Sequence, residues 1–127
     1  MTKKNDIPVT DMGLILDVVS KYFNVDKISI FKRDRKREIC RIRQMFYHLC
    51  RKYNPSWIVS FSMIGSYYSD ITGVGRGHCT VLYSCNKVSN DMDVYASTVK
   101  IEKELSALIE KEKSGEMDAL EIMMSVL

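Results

Sequence analysis

Long apolar runs, paired cysteines and low-complexity segments are missing from this sequence, and each absence excludes a class of protein. Uninterrupted apolar stretches extend over only a few residues, which excludes a membrane-spanning helix. The N-terminal lysines are not followed by an apolar segment, so a secretory signal is not expected. The four cysteines are Cys40, Cys50, Cys79 and Cys85. Since none of them forms a CxxC pair, we expect free thiols in a reducing, cytoplasmic compartment.

Charge is distributed unevenly along a chain that is long enough for one domain with its own core. The 127 residues carry a formal net charge of only +3. Residues 32–52 nevertheless contain nine Lys or Arg and two acidic residues, whereas residues 90–127 contain four Lys and nine acidic residues. A basic segment of this density is typical of proteins that bind an anionic partner, and nucleic acid is favoured over a membrane surface.

Apolar residues recur at helical spacing through most of the chain, which predicts an all-α helix bundle. Helices are expected at 11–23, within residues 24–31 as a turn and a short helix capped by Asp26, and at about 34–53, 61–70, 78–88 and 94–113. Only residues 56–61, with the sequence SWIVSF, are compatible with a strand. The residues expected to point inward from the three longest later helices are Ile39, Ile42, Phe46, Leu49 and Tyr53, then Val81, Leu82, Cys85 and Val88, and finally Val99, Ile101, Leu105, Leu108 and Ile109.

Residues 73–85, GVGRGHCTVLYSC, place three glycines around an arginine and a histidine. A Walker-type phosphate loop is excluded, because the lysine and the preceding strand that it requires are missing. A dinucleotide fingerprint is excluded as well, because the spacing is G-x-G-x-G rather than G-x-G-x-x-G. What remains is a helix, a turn and a second helix, which is the arrangement of helix-turn-helix DNA-binding proteins.

The start of the second helix carries side chains that suit DNA. Arg76 and His78 can donate hydrogen bonds to phosphates or purine edges, and the Thr80 hydroxyl can bond a phosphate. The unpaired amides and the positive dipole end of the helix favour an anion at the same place. The alternative for His78 is that it only caps or lines the turn.

A second polar surface is predicted on the long helix. Four residues recur there at i, i+4, i+7 and i+11, namely Arg37, Arg41, Gln44 and His48. They lie opposite the apolar stripe and would be available to a DNA backbone, unless the row is only a solvated helix face. Trp57, Tyr67 and Tyr68 are expected to anchor the core or the loops rather than to stack on bases.

Neither a catalytic site nor a metal site is indicated. A zinc site would have to use His48, Cys50, His78 and Cys79, whose spacing is not a known ligand pattern. For Cys79 as a nucleophile, neither an acid partner nor oxyanion donors can be named. Carboxylates cluster only toward the C-terminus, at helical spacing with lysines, as in an exposed helix with charge pairs. We therefore expect no enzymatic activity, no metal and no cofactor.

Several segments resemble the DNA-binding C-terminal domain of the bacterial replication initiator DnaA, a Trp-repressor-like helix-turn-helix. Residues 75–88, GRGHCTVLYSCNKV, are similar to its recognition helix, whose pattern runs Gly-Arg-Asp-His-Thr/Ser-Thr-Val-Leu. Residues 36–52, KREICRIRQMFYHLCRK, resemble its basic loop and long helix. Residues 15–30 and 60–65 resemble its first helices and the first helix of its helix-turn-helix. The resemblance covers about residues 13–90 and implies a helix-turn-helix bundle, to which this chain would add a C-terminal helix.

The resemblance also implies a division of the DNA contacts. Arg76 and Thr80 would contact phosphate, His78 a base edge in the major groove, Arg37 the minor groove, and residues 43–44 the backbone. The residues expected at DNA are Arg37, Arg41, Arg43, Gln44, Ser62, Arg76, Gly77, His78, Cys79 and Thr80.

The chain departs from the family's pattern at three places. Gly77 stands where the family has an acidic residue, so a contact to an amino-bearing base edge is lost. Cys79 replaces a hydroxyl-bearing residue and is a poor hydrogen-bond partner. The connections at 66–75 and 54–60 are longer than the family's, so the recognition helix is expected to dock differently.

Three segments and one function are expected from these observations. Residues 1–10 would be a flexible N-terminus, 11–90 a domain that binds double-stranded DNA, and 91–127 an acidic helix and apolar tail packed on the domain or on a partner. The role would lie in replication initiation or its regulation, or in transcription, in a bacterial or phage setting. The alternative is a protein-interaction module whose working surface is the acidic helix; a third possibility is a homodimer through the tail that doubles a weak DNA contact.

Overall fold

All regular structure in the described part of the chain is helical, as the periodicity predicts. The computed structural model describes residues 10–32 and 36–126, the segment 114–126 by its backbone alone. The helices are α1 (Met12–Phe23), α2 (Lys27–Phe31), α3 (Arg37–Tyr53), α4 (Phe61–Ser66), α5 (Ser69–Thr72), α6 (His78–Val94) and α7 (Ala96–Val126). The all-α prediction is therefore confirmed, and the strand alternative for residues 56–61 is wrong, because that segment forms turns and the start of α4.

The first helix is fixed at both ends by local hydrogen bonds. The Asp11 carboxylate accepts a hydrogen bond of 2.9 Å from the Gly13 amide, and Asn24 ends the helix in the left-handed conformation. Thr10, just before α1, is buried and exchanges backbone hydrogen bonds with the Asn54 side chain. The prediction of a flexible segment 1–10 is thus wrong at Thr10, and residues 1–9 lie outside the described residues.

Helix α3 forms the centre of the core. Its fully enclosed side chains are Ile42, Met45, Phe46, Tyr47, Leu49 and Cys50. Two members of the predicted stripe, Ile39 and Tyr53, are only half-buried. The buried surface is wider than one stripe because α1, α2, α4 and α6 all pack against α3.

The helix expected at 61–70 is broken into two. α4 begins at an N-cap, where the Ser60 hydroxyl accepts a hydrogen bond from the Met63 amide, and ends at Ser66. Tyr68 then adopts a left-handed backbone conformation, with φ of 71°, before α5. The ring of Tyr68 lies 5.2 Å from that of Phe31. This aromatic contact, made by residues distant in sequence, explains why the chain turns here.

Two of the three predicted aromatic anchors lie in the core, and the third does not. Tyr67 and Tyr68 pack against Phe31 and Phe46 in the core, as predicted. Trp57 does not anchor the core, because 62% of its surface is exposed in the turn before α4.

Helix α6 starts where the sequence predicts and continues six residues beyond the predicted end. Val81, Ser84 and Val88 are buried, and Cys85 is half-buried. Leu82 was expected to point inward, but 42% of its surface is exposed. The inward face is centred on the line from Val81 to Val88, and Leu82 lies at the flank of that line.

Helix α7 packs on α1 and α6 and completes the core with Leu105 and Ile109. Val99 and Ile101 are half-buried, whereas the prediction for Leu108 is wrong, because 39% of its surface is exposed. Within the described residues, no helix combines the length and the apolarity that crossing a membrane requires.

Candidate nucleic-acid interface

Gly65 brings the two helices of the helix-turn-helix together. It is buried in α4, and its carbonyl accepts a hydrogen bond of 2.9 Å from the Arg76 amide in the turn before α6. A Cβ atom at this position would lie 2.9 Å from the Arg76 carbonyl carbon, closer still to its oxygen, and 3.2 Å from the Val81 side chain. Only glycine allows this approach, so residue 65 sets how α4 and α6 pack.

The N-terminus of α6 is open to solvent. Gly77 occupies the N-cap in an extended conformation and supplies no side-chain cap. Its carbonyl accepts hydrogen bonds from the amides of Thr80 and Val81. The amides at the start of the helix therefore lack the capping side chain that would otherwise occupy them, which leaves the positive end of the dipole available to an anion.

The side chains of the first turn of α6 (His78, Cys79 and Thr80) are all exposed. The Cys79 sulfur lies 3.4 Å from the Nε2 atom of His78, so the two side chains stand together. Ser62 is exposed on α4, the preceding helix of the motif. The structure thus places four of the predicted residues on the solvent side of the helix-turn-helix.

Arg43 and Arg76 bind backbone carbonyls within the protein. The Arg43 guanidinium donates hydrogen bonds to the carbonyls of Ile30 (2.8 Å) and Lys32 (3.3 Å). The Arg76 guanidinium donates to those of Phe31 (2.9 Å) and Lys32 (3.2 Å). We call this arrangement the arginine clamp. It joins α3 and the start of α6 to the end of α2, where carbonyls have no helical partner.

The clamp places the described edges of the basic segment beside α6. Lys32, which shares its carbonyl with both arginines, and Arg37, the first residue of α3, are exposed. Residues 33–35 lie outside the described residues. Two predicted DNA contacts, Arg43 and Arg76, thus hold the backbone of residues 30–32, and Arg37 is exposed at the start of α3.

The predicted polar row on α3 does not form one open surface. Arg41 and Gln44 line a cleft of about 580 Å³ together with the second half of α6 and the start of α7. His48 faces α7, where its Nε2 atom lies 3.9 Å from a carboxylate oxygen of Glu102. The prediction that His48 is available to a DNA backbone is wrong, because α7 packs over that end of the row.

A buried carboxylate fastens α7 to α3. Glu102 accepts hydrogen bonds from the Lys52 ammonium (2.5 Å) and the Ser106 hydroxyl (2.6 Å). Burial raises the pKa of Glu102, but these hydrogen bonds and the nearby positive charges outweigh it and bring the pKa below its ordinary value. Burial lowers the pKa of His48, although the Glu102 carboxylate opposes the shift.

The cysteines do not form a site in the described part of the chain. All four are thiols rather than halves of disulfides, and burial raises the pKa of the Cys50 and Cys85 thiols, which makes them poor nucleophiles. Among the described residues, no three His, Cys, Asp or Glu side chains are grouped closely enough to hold a metal ion.

Sequence reasoning missed two exposed residues of α6, Tyr83 and Asn86. They follow Cys79 at i+4 and i+7, so helical periodicity places all three on one face. The signal that identifies them is this spacing, taken together with the buried positions 81, 84 and 88 on the other side.

A short helix joined by a turn to a second helix, whose N-terminal residues are exposed, is the arrangement of the helix-turn-helix class of DNA-binding proteins. The family described as "Bacterial dnaA protein helix-turn-helix" matches residues 12–88. This chain therefore belongs to the bacterial DnaA helix-turn-helix family, and that membership implies DNA binding.

Similar proteins from several bacteria carry the name chromosomal replication initiator protein DnaA. The one from Synechococcus sp. (strain JA-2-3B'a(2-13)) is 36% identical over 98 residues, which are 77% of this chain and 19% of the relative. The one from Bacteroides thetaiotaomicron is 29% identical over 107 residues, 84% of this chain and 21% of the relative. The one from Lachnoclostridium phytofermentans is 36% identical over 81 residues, 64% of this chain and 16% of the relative. The chain thus spans between 16% and 21% of the length of these relatives.

Proposed function

We propose that this chain binds double-stranded DNA by laying the first turn of α6 in the major groove. One observation carries the proposal: the N-terminus of α6 is uncapped and exposed, and it is joined to the basic segment by the arginine clamp. In this arrangement His78 faces a base edge, and the hydroxyls of Thr80 and Ser62 lie within reach of phosphates.

The basic segment supplies the second contact. Lys32, just after α2, and Arg37, at the start of α3, are exposed, and we assign Arg37 to the minor groove next to the major groove that α6 occupies. Arg43 and Arg76 act as positioning residues, because their guanidinium groups already bond the carbonyls at the end of α2. Arg41 and Gln44 face the cleft beside α7 and contribute less to the affinity.

The proposed biological role is in replication initiation or its regulation. The relatives are named chromosomal replication initiator proteins. Each of them matches this chain over about a fifth of its own length, 19% and 21% for the first two. A domain of this kind supplies attachment to DNA, so we expect it to occupy sites at or near an origin.

The test is fluorescence anisotropy with random 30-base-pair duplexes over a range of salt concentrations. Log affinity should fall linearly with log salt, with a slope of about −0.9 per phosphate contact. Lys32→Ala and Arg37→Ala should each weaken binding and reduce the slope by about one unit.

Lys103→Ala is the matched control, because this lysine is exposed on α7, away from the helix-turn-helix. It removes one positive charge but should leave the slope unchanged. Absence of binding at low salt, or an equal effect of all three substitutions, would overturn the proposal.

A further inference from the structure

An uncharged stripe runs along the solvent side of α6. Its members are Cys79, Tyr83, Asn86 and Asn90, at i, i+4, i+7 and i+11. All four are exposed, and they lie opposite the buried Val81, Ser84 and Val88. In the proposed complex this stripe faces the floor of the major groove. Since it carries neither arginine nor lysine, it lacks the bidentate cation that most often reads guanine.

The side chains of Tyr83 and Asn86 are uncommitted, in contrast to those of their neighbours. Ser84 donates a hydrogen bond to the Thr80 carbonyl, and Lys87 is paired with Asp91. Neither Tyr83 nor Asn86 forms a side-chain hydrogen bond within the described residues, and 62% of the Tyr83 surface is exposed. Both groups are therefore free to contact a ligand that approaches this face.

The chemistry of the two side chains matches one base pair. The asparagine amide offers a donor and an acceptor at the spacing of the N7 and N6 groups on the major-groove edge of adenine. The tyrosine ring provides an apolar surface of the kind that packs against the 5-methyl group of thymine. A guanine or cytosine at the same place would leave part of the amide unsatisfied.

We propose that Asn86 and Tyr83 are specificity-determining residues that select an A·T base pair in the target. Asn86 bonds adenine N6 and N7, and the Tyr83 ring contacts a thymine methyl of the same or the adjacent pair. This inference rests on the proposed function. Asn86 lies about 10 Å along the helix axis from Cys79, so its base pair is about three steps from the one below Cys79.

Base analogues test the contact without changing the fold. A preferred duplex is first selected from a random pool with the whole chain. Each adenine is then replaced by 7-deazaadenine, which lacks the N7 acceptor, and each thymine by uracil, which lacks the methyl group. At one adenine the deaza substitution should weaken binding by about ten- to hundredfold, and uracil at that pair or its neighbour should weaken binding measurably.

Substitutions in the protein show which side chain is responsible for the effect of each base analogue. Asn86→Ala should weaken binding to the selected duplex at least as much as 7-deazaadenine does, because it removes both hydrogen bonds to adenine, and 7-deazaadenine should then cause no further loss in this variant. In the same way, the affinity of the Tyr83→Ala variant should not change when thymine is replaced by uracil. Asn90→Ala is the matched control, because Asn90 is exposed on the same stripe but lies about 16 Å along the helix axis from Cys79, at the end of the stripe farthest from the N-terminus that enters the groove.

The possible outcomes separate this inference from the proposed function. If salt-dependent binding persists but selection yields no A·T preference, or Asn86→Ala retains its sensitivity to 7-deazaadenine, the inference is wrong and DNA binding stands. If the chain binds no duplex at low salt, both are wrong. Sensitivity to the analogues that disappears only in the matching variant supports both.

Discussion

Gly65 is the residue at which the helix-turn-helix leaves no room for a side chain. Gly65→Ala is expected to lower the free energy of unfolding by about 1–3 kcal/mol, because the added methyl group would overlap the Arg76 carbonyl, and backbone cannot give way as a flexible side chain can. Urea denaturation monitored by circular dichroism measures the change.

Gly77→Ser provides the control for Gly65→Ala. The space around a Cβ atom at residue 77 is open, and the extended N-cap conformation suits serine. The expected result is equal stability or a gain of a few tenths of a kcal/mol (about 0.3) from capping. A comparable loss in both variants would contradict the close packing at Gly65.

His48 is expected to make stability depend on pH. Because burial holds its pKa below the ordinary value of 6.5, the unfolded chain binds a proton more readily than the folded chain as the pH falls. The contribution of His48 to the free energy of unfolding is complete at pH values above the pKa that it has in the unfolded chain. This contribution is lost as the pH falls from about 7 toward the lower pKa that His48 has in the folded protein. His48→Gln should therefore reduce the difference between the free energies of unfolding at pH 7.5 and 5.5.

The comparison for His48 uses urea titrations of both proteins at the two pH values. Carboxylates that do not contact residue 48 contribute equally to the two proteins, so the difference between them isolates the histidine together with its interaction with Glu102. A variant that loses as much stability on acidification as the original protein would show that another group carries the dependence.

At the residue scale, sequence reasoning identified the exposed first turn of α6 but not the arginine clamp. The pattern Gly-Arg-x-His places residues 78–80 at a helix start, where side chains point to solvent whatever packs behind them. An arginine has five N–H donors that suit a phosphate and a carbonyl equally well. Whether Arg43 and Arg76 meet DNA or protein depends on where the carbonyls of residues 30–32 lie, and this is a property of the tertiary structure.

Helix α7 contributes to the core through particular turns. Leu105→Ala is expected to lower the free energy of unfolding by about 2–5 kcal/mol, because Leu105 is fully buried and truncation leaves a cavity. Leu108→Ala, one turn along the same helix, should cost less than 1 kcal/mol, because this side chain is partly in water. Thermal and urea denaturation of the two variants compares them. Equal losses would contradict the packing of α7 on α1 and α6.

At the element scale, helices were predicted well where one apolar face is continuous. The places where a helix is interrupted depend on residues that are distant in sequence. Tyr68, for example, leaves the helical conformation where its ring packs on Phe31. The inward positions of α7 were misjudged at Glu102 for a related reason. A buried carboxylate is expected only when a partner is known: Ser106 is a local partner one turn along α7, but Lys52 becomes a partner only because the fold brings α7 beside α3.

At the scale of the whole molecule, local charge rather than net charge is expected to govern the salt dependence of DNA binding. The double substitution Lys100→Glu and Lys103→Glu lowers the formal net charge of +3 by four units, yet both residues lie on α7. The slope of log affinity against log salt should stay the same within about half a unit, because no phosphate contact is lost. Anisotropy titrations at four salt concentrations determine it. A change of two units or more would place α7 at the DNA.

The Lys32 carbonyl, which accepts hydrogen bonds from both Arg43 and Arg76, has a consequence for the DNA in the proposed complex. Because one carbonyl bonds both Arg43 and Arg76, the position of the Lys32 backbone relative to the start of α6 is set within the protein, and in the proposed complex it is set before any duplex binds. A protein with preset contacts gives up little conformational entropy on association. The adjustment then falls on the duplex, whose groove width must match that position. Base steps that lie between the two contacts and touch no side chain would influence the choice of site through their stiffness alone.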